Sequence, residues 1–86
     1  MEYNSSIGKE KLKDFIIKYS QVEKDKIQND SMFMEGGFLD SLGFMALISY
    51  MEEEFQIKVS DEDLMAENFK SINTLSDFIE RKTIRQ

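Results

Sequence analysis

The stretch that decides the fold is residues 36–55, GGFLDSLGFMALISYMEEEF. It begins with the bend-forming pair Gly36-Gly37 and continues through Asp40 and Ser41, two residue types that favour the start of a helix. Beyond them, apolar side chains recur at helical spacing: Phe44, Leu47, Ile48, Met51 and Phe55. A stripe with that period packs one side of a helix against a core. The stretch therefore predicts an amphipathic helix that begins where the glycine bend ends.

Three other segments carry helical signals. The pattern predicts a first helix over residues 7–20 capped by Ser5 or Ser6, a short third helix near residues 61–66, and a final helix capped by Ser71. The stripe of the first helix is Leu12, Phe15, Ile16 and Tyr19, and that of the last is Ile72, Leu75, Phe78 and Ile79. All of these stripes need a common core to cover them.

Residues 20–40 connect the first two main helices and are too apolar for a free linker. We expect a long loop that packs onto the core and contains one helical turn. The predicted fold class is all-α: a four-helix bundle with three main helices, a short third helix, and a long loop between helices 1 and 2. Residues 1–86 are expected to form a single domain.

The 86 residues include no His and no Cys. Their absence excludes an imidazole base, a cysteine nucleophile, a disulfide and a Cys/His zinc site, so we expect no metal and no enzyme. No apolar run approaches the roughly 18 to 20 residues of a membrane helix, and the N-terminus lacks a signal-peptide pattern. We therefore expect a cytoplasmic monomer that does not insert into membranes.

The net charge of −6 is concentrated in the middle of the chain. Residues 31–69 hold nine acidic side chains against Lys58 alone, a net charge of −8. Such a segment is repelled by nucleic acid, which we do not expect as a partner, and is attracted to proteins with basic patches. A solvated acidic surface kept for solubility explains the charge equally well.

Asp40-Ser41 has a structural and a functional interpretation. Either residue is a favoured helix cap and needs no further role. The same position also offers unpaired N–H donors and a partial positive charge, which favour a phosphate group. A serine hydroxyl exposed after a glycine bend is well placed to carry a phosphodiester there.

Residues 38–42, FLDSL, followed by residues 47–55, LISYMEEEF, resemble the acyl carrier protein family. The resemblance covers nearly the whole chain, including the acidic segment after the second helix. It implies that Ser41 is esterified by 4′-phosphopantetheine from coenzyme A, with Asp40 as the preceding residue read by a phosphopantetheinyl transferase. The arm's thiol then holds an acyl or aminoacyl thioester, so the chain needs no cysteine of its own.

The resemblance also implies a docking face for partner enzymes on the second helix. The candidates lie on one side of that helix at helical spacing: Leu42, Met45, Ser49, Glu52 and Glu53. Partial core burial of the two apolar members, and a solvated helix end for the two acids, are the competing interpretations. Carriers of fatty-acid synthesis usually place more acids just after the serine, where this chain has Gly43 to Ala46. The pattern is closer to carriers of specialised pathways, such as aminoacyl, D-alanyl or polyketide-type carriers.

The leading hypothesis is a carrier that delivers a thioester between a loading ligase and downstream enzymes. The alternative is an unmodified acidic adaptor or regulatory module with the carrier fold. A small hydrolase that uses carboxylates is the remaining, remote possibility.

Overall fold

Three α-helices surround a shared apolar core. The computed structural model describes residues 3–85, with side chains through residue 83; the remaining residues of the predicted domain 1–86 lie outside this range. The helices are α1 (Ser5–Ser20), α2 (Ser41–Phe55) and α3 (Ile72–Arg85). Three short 3₁₀ turns occupy the connections: Lys24–Lys26, Asp61–Asp63 and Ala66–Phe69. No strand occurs among the described residues, so the all-α class is confirmed.

The core combines the three predicted stripes, except Tyr19 of the first, with the long loop. Each helix contributes fully buried side chains, among them Leu12 and Ile16, Leu47 and Met51, and Leu75 and Ile79. The loop contributes Ile27, Phe33 and Leu39, which are buried as well. The prediction of a loop packed onto the core is confirmed, and its single helical turn is Lys24–Lys26.

The first α-helix begins earlier, and has a different cap, than the sequence predicts. The helix begins at Ser5, and its cap is Asn4 rather than Ser5 or Ser6. Asn4 Oδ1 accepts the backbone N–H of Ile7 at 3.1 Å. The sequence contains three capping residue types in a row, and the structure uses the first of them. The predicted cap of the last helix is confirmed, because Ser71 Oγ accepts the N–H of Thr74 at 3.3 Å.

The short third helix predicted near residues 61–66 is replaced by two 3₁₀ turns. Ser60 and Asp63 form a capping box that closes only one turn. The Asp63 carbonyl then accepts the side-chain amide of Asn68 at 2.9 Å instead of continuing a helix. Met65 is extended, with φ −99° and ψ 141°, and separates the two turns. The chain therefore starts a helical turn at Ser60, but the following residues do not extend it.

Asp63 links this segment to α3. Its Oδ2 atom accepts the Lys82 ammonium at 2.8 Å and the Ser60 N–H at 3.0 Å. The Lys82 hydrogen bond, followed by that of Ser60, holds the pKa of the Asp63 carboxyl below its ordinary value. The charged form is therefore favoured by folding.

We expect Asp63→Asn to lower the free energy of unfolding by about 1 kcal/mol at pH 7, because an amide oxygen can still accept from Ser60 but forms no charge-assisted hydrogen bond with Lys82. Since the folded pKa is depressed, this stabilisation is present above the unfolded pKa and disappears as the pH falls through the folded pKa. Urea unfolding across that range should show wild type and variant converging at acidic pH. Asp61→Asn, at the exposed start of the same turn, is the control. If the difference in free energy of unfolding between wild type and Asp63→Asn does not change with pH, this role of the Asp63 charge is contradicted.

None of the helices described for residues 3–85 is both long and apolar enough to cross a membrane.

Candidate functional site

Asp40 is the N-cap of α2, and Ser41 is the first residue of the helix. Asp40 Oδ1 accepts the backbone N–H of Gly43 at 2.7 Å, and the Asp40 carbonyl accepts the N–H of Phe44 at 2.8 Å. Of the two capping candidates, the structure therefore selects Asp40. The Ser41 hydroxyl is left free of the capping role.

The loop before α2 fixes where Ser41 projects. Gly37 adopts a left-handed conformation with φ 79°, and Phe38 donates its N–H back to the Phe33 carbonyl at 3.0 Å. Leu39 then enters the core, with only 4% of its surface exposed. Because Leu39 is anchored on one side and Gly43 is buried on the other, Ser41 is held at the surface, where its side chain is exposed.

The surroundings of Ser41 suit a phosphate ester. The first N–H groups of α2 have no intrahelical partner, and the helix dipole places partial positive charge at this end. The exposed Ser41 hydroxyl is an oxygen of the kind that a phosphate ester such as that of 4′-phosphopantetheine needs, and the Asp40 cap orders the helix start beside it.

Tyr19 also belongs to the site. Although it lies in the last turn of α1, its phenol donates a hydrogen bond to Asp40 Oδ1 at 2.9 Å. The Gly43 N–H and, after it, the Tyr19 hydroxyl hold the pKa of the Asp40 carboxyl below its ordinary value. The same hydrogen bond raises the pKa of Tyr19, because loss of the phenolic proton would break it. Asp40 is therefore ionised and held from two helices.

The two apolar residues of the candidate docking face project into solvent. Leu42 is 76% exposed and Met45 is 60% exposed, so the alternative of core burial is wrong for both. Ser49 and Glu53 are also exposed. These four side chains form an uncovered stripe along α2, with an apolar half beside Ser41 and a polar half toward the C-terminal end.

The remaining acids of the last turn have partners within the chain. Glu52 is half-buried, and its Oε2 atom accepts the Val59 N–H at 2.9 Å. Glu54 forms an ion pair with Lys11 of α1 at 2.6 Å. These contacts offset the unfavourable interaction of the acids with the helix dipole. Structure as well as docking therefore explains why acids occur there.

A half-open cavity of about 330 Å³ lies beside the first turns of α2. Its wall is largely apolar, and Phe44, three residues after Ser41, is part of it. The lining residues are Met32, Met34, Glu35, Phe44, Leu64, Met65, Ala66, Phe69 and Lys70. The volume falls within the range of about 300 to 1,000 Å³ that is usual for small-molecule pockets. Flexible methionine side chains let such a wall adapt to its occupant.

Residues 3–83, whose side chains are described, contain no group of three or more acidic residues arranged to hold a metal ion.

Sequence reasoning identified Asp40 and Ser41 but assigned Tyr19 to the core stripe of α1. Tyr19 is 40% exposed, unlike its fully buried neighbours Leu12 and Ile16. One signal was present: tyrosine has an apolar ring with a polar tip, which usually finds a hydrogen-bond partner. The identity of that partner depends on how α1 packs beside α2.

A family model described as "Phosphopantetheine attachment site" matches residues 10–79. An acyl carrier protein of Bdellovibrio bacteriovorus is 35% identical over 72 residues, which cover 84% of this chain and 90% of the relative. One from Buchnera aphidicola subsp. Acyrthosiphon pisum is 35% identical over 77 residues, covering 90% and 94%. An acyl carrier protein homolog of Mycoplasmopsis pulmonis is 38% identical over 73 residues, covering 84% and 96%.

The family match spans most of the chain, and the relatives are matched over nearly their whole length. The relatives are carriers rather than enzymes, and the cofactor implied by the match is covalently attached 4′-phosphopantetheine. The chain belongs to the acyl carrier protein family.

Proposed function

We propose that the 4′-phosphopantetheine arm is attached to Ser41 and that the protein carries an acyl thioester between partner enzymes. The observation that supports this most directly is the exposed Ser41 hydroxyl at the first position of α2, immediately after the Asp40 cap. The cytoplasmic, monomeric, single-domain state expected from the composition is part of the same proposal.

Coenzyme A is the only co-substrate that the attachment reaction requires. A phosphopantetheinyl transferase joins Ser41 Oγ to the phosphorus that bears the pantetheine, and the bond from that phosphorus to adenosine 3′,5′-bisphosphate breaks. The hydroxyl proton leaves to the transferase or to solvent. The positive end of α2 favours the new phosphodiester, which carries a negative charge. When bound, the arm supplies the thiol for the thioester.

The cavity beside α2 supports an acyl rather than a strongly polar cargo. Its wall combines three methionines with Phe44 and Phe69, and its charged residues are Glu35 and Lys70. Polar groups buried against such a wall lose hydrogen bonds to water. Several relatives are also named as acyl carrier proteins.

The uncharged first turns of α2 support a specialised pathway. Gly43, Phe44, Met45 and Ala46 occupy positions where carriers of fatty-acid synthesis usually have acids. Exposed Leu42 and Met45 present an apolar surface beside Ser41. We infer that partner enzymes, including a loading ligase, recognise this apolar half together with the acids farther along α2.

Intact-mass spectrometry tests the proposal. The purified protein is incubated with coenzyme A and a broad-specificity phosphopantetheinyl transferase. One arm per chain is expected, on the peptide that contains Ser41. No mass gain would contradict carrier function and favour the unmodified adaptor; a gain on another residue would contradict the assigned site. The mass of the group carried on the arm in cells then identifies the cargo class.

Glu53 offers the clearest test of docking, because Glu52 and Glu54 have structural contacts whereas Glu53 is exposed. We expect Glu53→Lys to lower kcat/KM for modification by about three- to tenfold at low salt, while stability rises by at most about 1 kcal/mol because a cation replaces an acid at the helix C-terminus. The difference in kcat/KM between wild type and Glu53→Lys should become smaller as salt shortens the Debye length from about 10 Å at 0.1 M to about 3 Å at 1 M. Glu23→Lys makes the same charge change on the exposed loop. Equal losses in both variants would indicate a net-charge effect rather than docking.

A further inference from the structure

Tyr19 and Gly43 form a matched pair at the start of α2. A Cβ atom built at Gly43 would lie only 2.6 Å from Tyr19 Cε1 and 2.9 Å from Tyr19 Cζ. Any larger residue at position 43 would therefore displace the ring from this position. With glycine there, the ring crosses the first turn of α2, and the phenol reaches Asp40 Oδ1.

The Tyr19 ring is not explained by core packing alone. The side chain is 40% exposed, and its polar tip is directed at the residue immediately before Ser41. Asp40 Oδ1 receives both the Tyr19 hydroxyl and the Gly43 N–H, at 2.9 Å and 2.7 Å. Two donors on one oxygen restrict the rotation of the carboxylate more than the cap alone.

Restriction of Asp40 bears on Ser41 because the two residues share a peptide bond. An enzyme that binds Asp40 and Ser41 must find both in one conformation. When the free protein already holds that conformation, less side-chain and backbone entropy is lost on binding. A contact from α1 that orders Asp40 therefore favours every complex in which Asp40 is recognised.

We propose that Tyr19 is a positioning residue for the modification of Ser41. The Tyr19–Asp40 hydrogen bond, which Gly43 makes sterically possible, holds the Asp40 carboxylate and the first turn of α2 in the conformation that the transferase binds. This inference rests on the proposed attachment of the arm to Ser41.

Tyr19→Phe tests the role directly, because it keeps the ring over Gly43 and removes only the hydroxyl. We expect kcat/KM for arm transfer to fall by about three- to tenfold, chiefly through a higher KM. The thermal midpoint should change little. Tyr50→Phe is the matched control: it removes another phenol hydroxyl, which contacts the Lys11 carbonyl at 3.5 Å and not Asp40. The control should keep the wild-type kcat/KM.

A double-mutant cycle separates positioning from a general structural effect. If Tyr19 acts through Asp40, adding Tyr19→Phe to Asp40→Ala, which removes the accepting oxygen, should cause little further loss of kcat/KM. A merely structural Tyr19 would give additive losses. In carboxyl-labelled protein, NMR titration should also show the Asp40 pKa moving toward its ordinary value in Tyr19→Phe, since one donor is lost.

The possible outcomes separate the positioning role of Tyr19 from the attachment of the arm to Ser41. Wild-type protein modified at Ser41, with Tyr19→Phe equally efficient, would overturn the positioning role and leave carrier function intact. Additive losses in the cycle would overturn the positioning role as well. Wild-type protein that accepts no arm would overturn both.

Discussion

Ser41→Ala is expected to abolish attachment of the 4′-phosphopantetheine arm while leaving the fold intact. Alanine lacks the hydroxyl oxygen that would bond to phosphorus, so the mass gain expected for wild type should be absent rather than merely slower. The fold should persist because Asp40, not Ser41, caps α2. Alanine is also the best helix former at an exposed helical position, so stability should change by only a few tenths of a kcal/mol.

Ser5→Ala is the matched control for this experiment. Ser5 is also exposed and is also the first residue of an α-helix, after the cap Asn4. Its environment differs from that of Ser41 in lacking the preceding aspartate and the apolar residues Leu42 and Met45. Full modification of Ser5→Ala with none of Ser41→Ala would show that the transferase selects this site and not helix N-termini in general. Residual modification of Ser41→Ala would show that Ser41 is not the sole attachment site.

The features predictable from sequence were those that depend on near neighbours along the chain. Apart from Tyr19, the apolar stripes were correct because burial of one helix face imposes a period of 3.6 residues, which a single segment displays. The Asp40 cap is equally local, since its partner Gly43 is three residues away. Local rules thus predicted the main helices and the cap of α2, while Ser41 as the attachment site stays a prediction.

The features that sequence could not supply depend on how distant segments meet. Tyr19 reaches Asp40, Lys11 reaches Glu54 and Lys82 reaches Asp63 only because the helices pack as they do. Tyr19 had been assigned to the core stripe of α1, and its contact with Asp40 gives it a different role. The short third helix was predicted incorrectly for a related reason. Asp63 binds the distant Lys82 and the nearby Asn68, and the chain forms two 3₁₀ turns instead of an α-helix.

Glycine at position 43 connects the local and the distant features. On sequence alone it was a departure from the acidic pattern of related carriers. In the structure it is the residue that admits the Tyr19 ring to the first turn of α2. Gly43 therefore leaves room for a second contact with Asp40 beside the cap itself.

Phe33→Ala is expected to have the largest effect on stability, although Phe33 lies in a loop. Its side chain is fully buried, and removal of a buried phenyl group costs about 3 to 5 kcal/mol. A domain of this length has a total stability of about 4 to 13 kcal/mol. Urea unfolding followed by circular dichroism should therefore show a much lower midpoint, with a sizeable unfolded fraction at 37 °C if the total lies near the lower limit.

The reason is that the loop is part of the core and not a tether between helices. The Phe33 N–H donates to the Lys70 carbonyl at 3.2 Å, and the Asn29 carbonyl accepts the Asn73 N–H at 2.9 Å. Both contacts join the loop to the segment that starts α3. Loss of the phenyl group should thus weaken the packing of the loop and α3 together, and unfolding should remain a single cooperative transition.

Two comparisons decide whether this account is right. Met34→Ala removes a neighbouring loop side chain that is 38% exposed, and it should cost less than about 1 kcal/mol. Leu47→Ala removes a fully buried side chain of α2, and it should cost about 2 to 5 kcal/mol. If Phe33→Ala behaves like Leu47→Ala, loop and helices unfold as one unit. If it behaves like Met34→Ala, the loop opens independently, and the glycine bend that presents Ser41 is anchored by Leu39 and α2 alone.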